Sequence, residues 1–141
     1  MSNEMMNREM QEAIEAGERA LCSLKLARDK LNSARSWGIA DLLGGGLITD
    51  MIKHSRMNDA ATHMEAAKRD LLVFQRELKD VNVPMDLRME IGGFLSFADF
   101  SFDGLVADYL VQSKNADARA QVADAISMVE VLLRDLKRMH A

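Results

Sequence analysis

Ile39-Ala40-Asp41-Leu42-Leu43-Gly44-Gly45-Gly46-Leu47-Ile48-Thr49-Asp50 and Phe97-Ala98-Asp99-Phe100-Ser101-Phe102-Asp103-Gly104-Leu105-Val106-Ala107-Asp108 are two versions of one segment, 58 residues apart. The correspondence continues through Ser55/Ser113, Asp59/Asp117, Ala60/Ala118, Ala67/Ala125 and Val73/Val131. It ends on Arg76-Glu77-Leu78-Lys79 against Arg134-Asp135-Leu136-Lys137. Thirteen of the 41 positions in 39–79 are identical to their mates in 97–137, without a gap. A period of that length marks one structural unit used twice, and the best agreement falls where helices are expected to begin.

Outward from the repeat, the apolar spacing is helical. Met10, Ala13, Gly17, Ala20, Leu24, Ala27, Leu31 and Ala34 recur at three- and four-residue steps, flanked by Ile14 and Leu21. That predicts a long amphipathic helix over roughly 5–35, with a seam of small residues that lets a partner helix approach closely. Met57, Ala60, Met64, Ala67, Leu71, Phe74 and Leu78 predict a second over about 47–80. Ala118, Val122, Ala125, Val129, Leu132 and Leu136 predict its repeat mate over about 104–139. Between them, Val83-Pro84 breaks the second helix, because proline disfavours the α region in the residue before it. Met85 to about Ile91 then reads as a short helix stopped by Gly92-Gly93, and Phe94 to Asp103 as a loop with Asp103 as an N-cap.

Reach decides between topologies. A 33-residue helix is about 50 Å long, and a ten-residue helix followed by ten extended residues also covers about 48 Å. The 84–103 stretch therefore suffices to return the chain to the pole where the second helix began. The expected fold is all-α: a single domain over 1–141, an elongated antiparallel helical bundle of coiled-coil character. It has three long helices and a short third element, built by internal duplication.

Composition bounds the function. The 141 residues carry a net charge of −4 and no basic tract, which argues against nucleic acid, since phosphate neutralisation needs clustered Lys and Arg. Cys22 is the only cysteine, so no intramolecular disulfide or cysteine metal site forms. The polar start, Met1-Ser2-Asn3-Glu4, does not read as a signal peptide, and no apolar run reaches the ~18–20 residues of a membrane span. Cytoplasm is the expected location.

One pole stands out chemically. Six of the seven aromatic residues lie at the repeat starts: Trp37 in the first, Phe94, Phe97, Phe100, Phe102 and Tyr109 in the second. No cation occurs between Arg35 and Lys53 or between Arg88 and Lys114, whereas Asp41, Asp50, Asp99, Asp103 and Asp108 do occur there. Asp41/Asp99 and Asp50/Asp108 read first as caps at or near helix starts, and the aromatics as plugs of an open bundle end. The alternative is a ligand or partner pole formed by Trp37, Asp41, Asp50, His54, Asp99, Asp108 and Tyr109. Internal symmetry brings carboxylates together in such bundles, and Asp50-x-x-x-His54 shares a helix face. Any metal there would fall to Asp50, His54 and Asp108. No cofactor is expected. His54 lacks the Glu-x-x-His pattern of di-iron bundles, its mate is Gln112, and His63 and His140 have no acidic or cysteine context that raises them above solvent-facing residues. Gly44-Gly45-Gly46 is not followed by Lys-Ser/Thr, so no phosphate loop is present. No catalytic residue is assigned.

Trp37-Gly38-x-x-Asp41-Leu42-Leu43-Gly44-Gly45-Gly46-Leu47-Ile48-Thr49-Asp50-x-x-Lys53-His54-Ser55 resembles a segment of a family of uncharacterised bacterial proteins, mainly Gram-positive. Phe102-Asp103-Gly104-Leu105-Val106-Ala107-Asp108-Tyr109-x-Val111-Gln112-Ser113-Lys114 is similar to their second half. The resemblance implies a helical protein and carries over no site residue. The leading functional expectation is a non-catalytic interaction or scaffold protein, self-associating or bound to a protein partner. A small-ligand or cation-binding bundle comes second, and peripheral membrane contact through 94–109 last, because that segment has only acids on its polar side.

Overall fold

The computed structural model describes the backbone of residues 2–44, 47–98 and 115–140, and the side chains of 4–33, 59–98 and 117–140. It is all-α, with no strand among the described residues. Helix α1 is Ser2–Gly44, α2 Leu47–Lys79, α3 Met85–Phe97 and α4 Asn115–His140.

Two boundaries differ from expectation. The first helix runs on past residue 35, because 36–43 contain neither proline nor a glycine pair and its first real breaker is the glycine run. Residues 39–42 are therefore the end of α1, and Asp41 lies in its last turn. A carboxylate there meets the negative end of the helix dipole, so Asp41 does not cap a helix start. Asp50, as the fourth residue of α2, does lie at one. The third helix also runs on, through Gly92-Gly93 to Phe97. Glycine costs a helix interior about 1 kcal/mol but does not forbid it. Burial of Leu87, Ile91, Phe94 and Ala98 on one stripe opposes that cost. Pro84 sits in extended backbone (φ −60°, ψ 160°) just before α3, where its missing N–H is not needed, and its carbonyl accepts from Arg88 N–H at 2.9 Å.

The helices share one core. Met10, Ala13, Gly17, Ala20, Leu24, Ala27 and Leu31 of α1 are buried. So are Ala60, Met64, Ala67, Leu71, Phe74 and Leu78 of α2, and Ala118, Val122, Ala125, Val129, Leu132 and Leu136 of α4. Ser23 donates to Asp70 and Lys30 pairs with Asp59 at 3.0 Å, so partners descend along α2 as they ascend along α1. The two are antiparallel. Past the 80–84 turn α3 folds back, with the Phe94 ring 5.5 Å from Phe74. It then lies antiparallel to α4, Glu90 meeting Asp135 and Gly93 facing Met128 and Val131. By these directions α4 runs with α2 and against α1, and Lys137 of α4 pairs with Glu18 of α1 at 2.9 Å.

Gly17 is where α1, α2 and α4 meet. A Cβ there would come 2.7 Å from Leu133 Cδ2 and 2.9 Å from Phe74 Cε1, closer than real carbon contacts. Seven buried positions of α2 (60, 64, 67, 71, 74, 75, 78) have buried mates in α4 at an offset of 58.

Gly17→Val is expected to destabilise the fold by about 2 kcal/mol or more, as overpacking against two buried side chains does. Gly92→Ala, with nothing within 4 Å of the added carbon, is expected to stabilise by about 0.5–1 kcal/mol. Urea unfolding of both variants measures the contrast.

Candidate interaction site

The pole singled out in the sequence is only partly placed. Trp37 and Asp41 ride on the last turns of α1, and Asp50 and His54 on the first turns of α2, with their side chains outside the described residues. Asp99, Asp103, Asp108 and Tyr109 lie outside the described residues altogether. Two of the six pole aromatics pack on the core instead: Phe94, 2 % exposed and against Phe74, and the half-buried Phe97, because α3 continues where a loop was expected. His63, read from the sequence as solvent-facing, has its Nε2 3.8 Å from Asp59 Oδ1, one helical turn away. Asp59 also pairs with Lys30 across the helices.

The opposite end is more informative. Eight large hydrophobic side chains are exposed among the described residues, and five are methionines: Met5, Met6, Met85, Met89 and Met139. Helix directions put them at one end. Met5 and Met6 open α1, Met85 and Met89 follow the α2–α3 turn, and Met139 closes α4. The core stops short of Met5 and Met6 at Met10, and of Met139 at Leu136. Met5 lies five residues, about 8 Å, before Met10 along the helix. Met85 and Met89, at 68 % and 70 % exposure, share one face of α3 opposite Leu87, Ile91 and Phe94. Unbranched thioether side chains adapt to irregular apolar surfaces, which is why methionine recurs on binding faces.

Beside this end a cleft of about 350 Å³ opens between α3 and α4. Phe94, Met128, Val131 and Leu132 line it with apolar surface, together with Glu90, Gly93 and Ser127. At the edge, the hydrogen bond with Asp135 holds the Glu90 carboxyl above the ordinary carboxylate range. Partial desolvation and the charges of Asp135 and Asp86 act the same way, and Arg134 opposes them. Arg134 itself is turned to Asp135, its Nε donating to Oδ1 at 3.4 Å.

Cys22 is exposed and unpaired in any disulfide. Among the described residues no group of three or more His, Cys, Asp or Glu could hold a metal, and no helix is long and apolar enough to cross a membrane. Comparison with protein-family models, curated proteins and solved structures finds no match. Sequence reasoning overlooked Met85, Met89, Glu90, Gly93 and Asp135. The available signal was the i, i+4 pair Met85/Met89 on the side of α3 away from its apolar stripe, which the early stop at Gly92-Gly93 obscured.

A raised carboxyl binds its proton more tightly in the folded chain. Its stabilisation is complete below the unfolded pKa and is lost as pH rises through the folded one. Glu90→Gln is therefore expected to raise the melting temperature relative to the parent at pH 8, with the gap closing as pH falls toward 4. With Glu90 exposed, the gap is expected to stay below about 2 °C. Thermal melts across that range check the sign.

Proposed function

We propose that this chain is a non-catalytic helical interaction protein that self-associates through its methionine-rich end. The observation that carries the reading is the concentration of exposed Met5, Met6, Met85, Met89 and Met139 where α1 begins, α3 turns and α4 ends. Exposed apolar side chains gathered at one place mark contact surfaces, whereas scattered ones need no explanation. A closed two-fold contact would bury this end on both copies at once.

The architecture belongs to the same proposal: an elongated antiparallel bundle made by duplication, with its third element shorter than the rest. The shared offset of 58 between buried positions of α2 and α4 supports it, as does the common direction of those helices. In that arrangement both repeat starts come to the pole opposite the methionines. Membership of the bacterial family resembled at 36–60 and 97–118, and a cytoplasmic location, are likewise proposals. The membrane reading of 94–109 is weakened, because Phe94 is buried against Phe74.

Sedimentation of the intact chain at micromolar concentration is expected to show a dimer or larger assembly. Met85→Ser with Met89→Ser should return it to a monomer while helical circular dichroism is unchanged, since neither side chain belongs to the core. A parent chain that sediments as a monomer, or a double variant that stays assembled, overturns the proposal.

A further inference from the structure

We propose that the α3–α4 cleft binds a small neutral molecule with an aromatic body, seated against Phe94 and Met128. The inference is independent of self-association, because none of Met5, Met6, Met85, Met89 and Met139 lines the cleft.

Size sets the kind of occupant. The lining residues span 90–94 on α3 and 127–132 on α4, about 6–8 Å along either helix axis. A second copy of the chain needs a far wider contact, about 800 Å² on each partner. A docked helix places anchors at i, i+4 and i+7, about 10 Å end to end, and outruns the cleft. The volume of about 350 Å³ falls instead within the roughly 300–1,000 Å³ of small-molecule sites. An apolar cavity of about 150 Å³ already admits benzene, so two fused rings with a short substituent match this one.

Composition sets the chemistry. Among the apolar lining residues, Phe94 and Leu132 are buried, Met128 is half-buried and Val131 is 37 % exposed. Removal of apolar ligand surface from water against them is the main driving force on offer. Phe94 and Met128 favour an aromatic body over a saturated one. Phe94 already forms a tilted ring pair with Phe74 at 5.5 Å, and a ligand ring adds a third member to it. The Met128 thioether contributes its own preference for ring edges. Glu90 is the one charged residue among the described residues of the lining, and it is exposed. A single carboxylate in water adds little to the binding of a cation, and it repels an anion. A neutral ligand therefore gives up almost nothing by lacking charge. Ser127 and Glu90 supply polar partners for one hydroxyl group on it.

The probe is 2-naphthalenemethanol. Set against it are 2-naphthoate and 2-naphthalenemethylammonium, which change the head, and decahydro-2-naphthalenemethanol, which saturates the body. Titration of the full chain carrying ¹³C-methyl methionine reads Met128 directly, with Met85 and Met89 as controls outside the cleft. The aryl alcohol is expected to shift Met128 saturably below about 1 mM and to leave the controls in place. The ammonium compound should bind within about twofold of the alcohol, and the carboxylate more weakly. The saturated alcohol should bind about threefold more weakly, as loss of ring contacts implies. Val131→Asp puts a carboxylate into the apolar lining, and Gly93→Leu adds bulk where a new carbon meets nothing within 4 Å. Each should weaken the aryl alcohol about tenfold or more while helical circular dichroism is unchanged. An ammonium compound that binds about tenfold tighter than the alcohol, or a carboxylate or saturated alcohol that equals it, overturns the assigned ligand class. An unmoved Met128 signal at about 1 mM, equal shifts at Met85 and Met89, or binding that survives both substitutions overturns the site itself.

Discussion

The absence of a side chain at Gly17 is the constraint on which the packing depends. Phe74 of α2 and Leu133 of α4 close over the same backbone position of α1, and each would sit within 3 Å of any added carbon. Alanine at 13, 16, 20 and 27 extends that closeness along α1, so two helices can approach it without a layer of large side chains between. Bulk is supplied from the other side, by Phe74, Met64, Leu71 and Leu132. Small against large is how helices interdigitate at the density of protein interiors. Helix α3 is held differently, by Phe94 on Phe74 and by a partial fit to α4, and the cleft is the space that partial fit leaves.

Much of this was legible in the residues. Every described member of the three expected stripes is buried, from Met10 to Leu31, Ala60 to Leu78 and Ala118 to Leu136, because a three- and four-residue apolar period on a long proline-free segment admits few other readings. Boundaries were less legible. Gly92-Gly93 looked like a stop because glycine is a poor helix former. What decides the matter is burial of Ile91 and Phe94 on either side, which depends on α2 and α4 being in place. Asp41 looked like a cap because its mate segment resembles a helix start. The absence of any breaker from 36 to 43 instead carries α1 through it.

The site was less legible than the fold. Trp37, Asp41, Asp50 and His54 are placed along α1 and α2 by backbone alone, and Asp99, Asp108 and Tyr109 lie outside the described residues. The methionine-rich end could not be read from sequence without helix directions, since its members come from positions 5, 6, 85, 89 and 139. Nor could the Glu90–Asp135 pairing, which joins residues on two different helices. Periodicity shows which face of a helix is apolar. It does not show where that helix ends relative to its neighbours, and here both exposed features arise at those ends and gaps.

The position of the methionines also sorts the thioethers by chemical accessibility. Met64 is fully buried and Met10 nearly so, while Met85 and Met89 are mostly exposed to water. An oxidant therefore reaches the outer set first. Conversion to sulfoxide turns an adaptable apolar side chain into a polar one. Mild oxidation would thus rewrite the polarity of one end of the molecule and leave the shared core chemically intact.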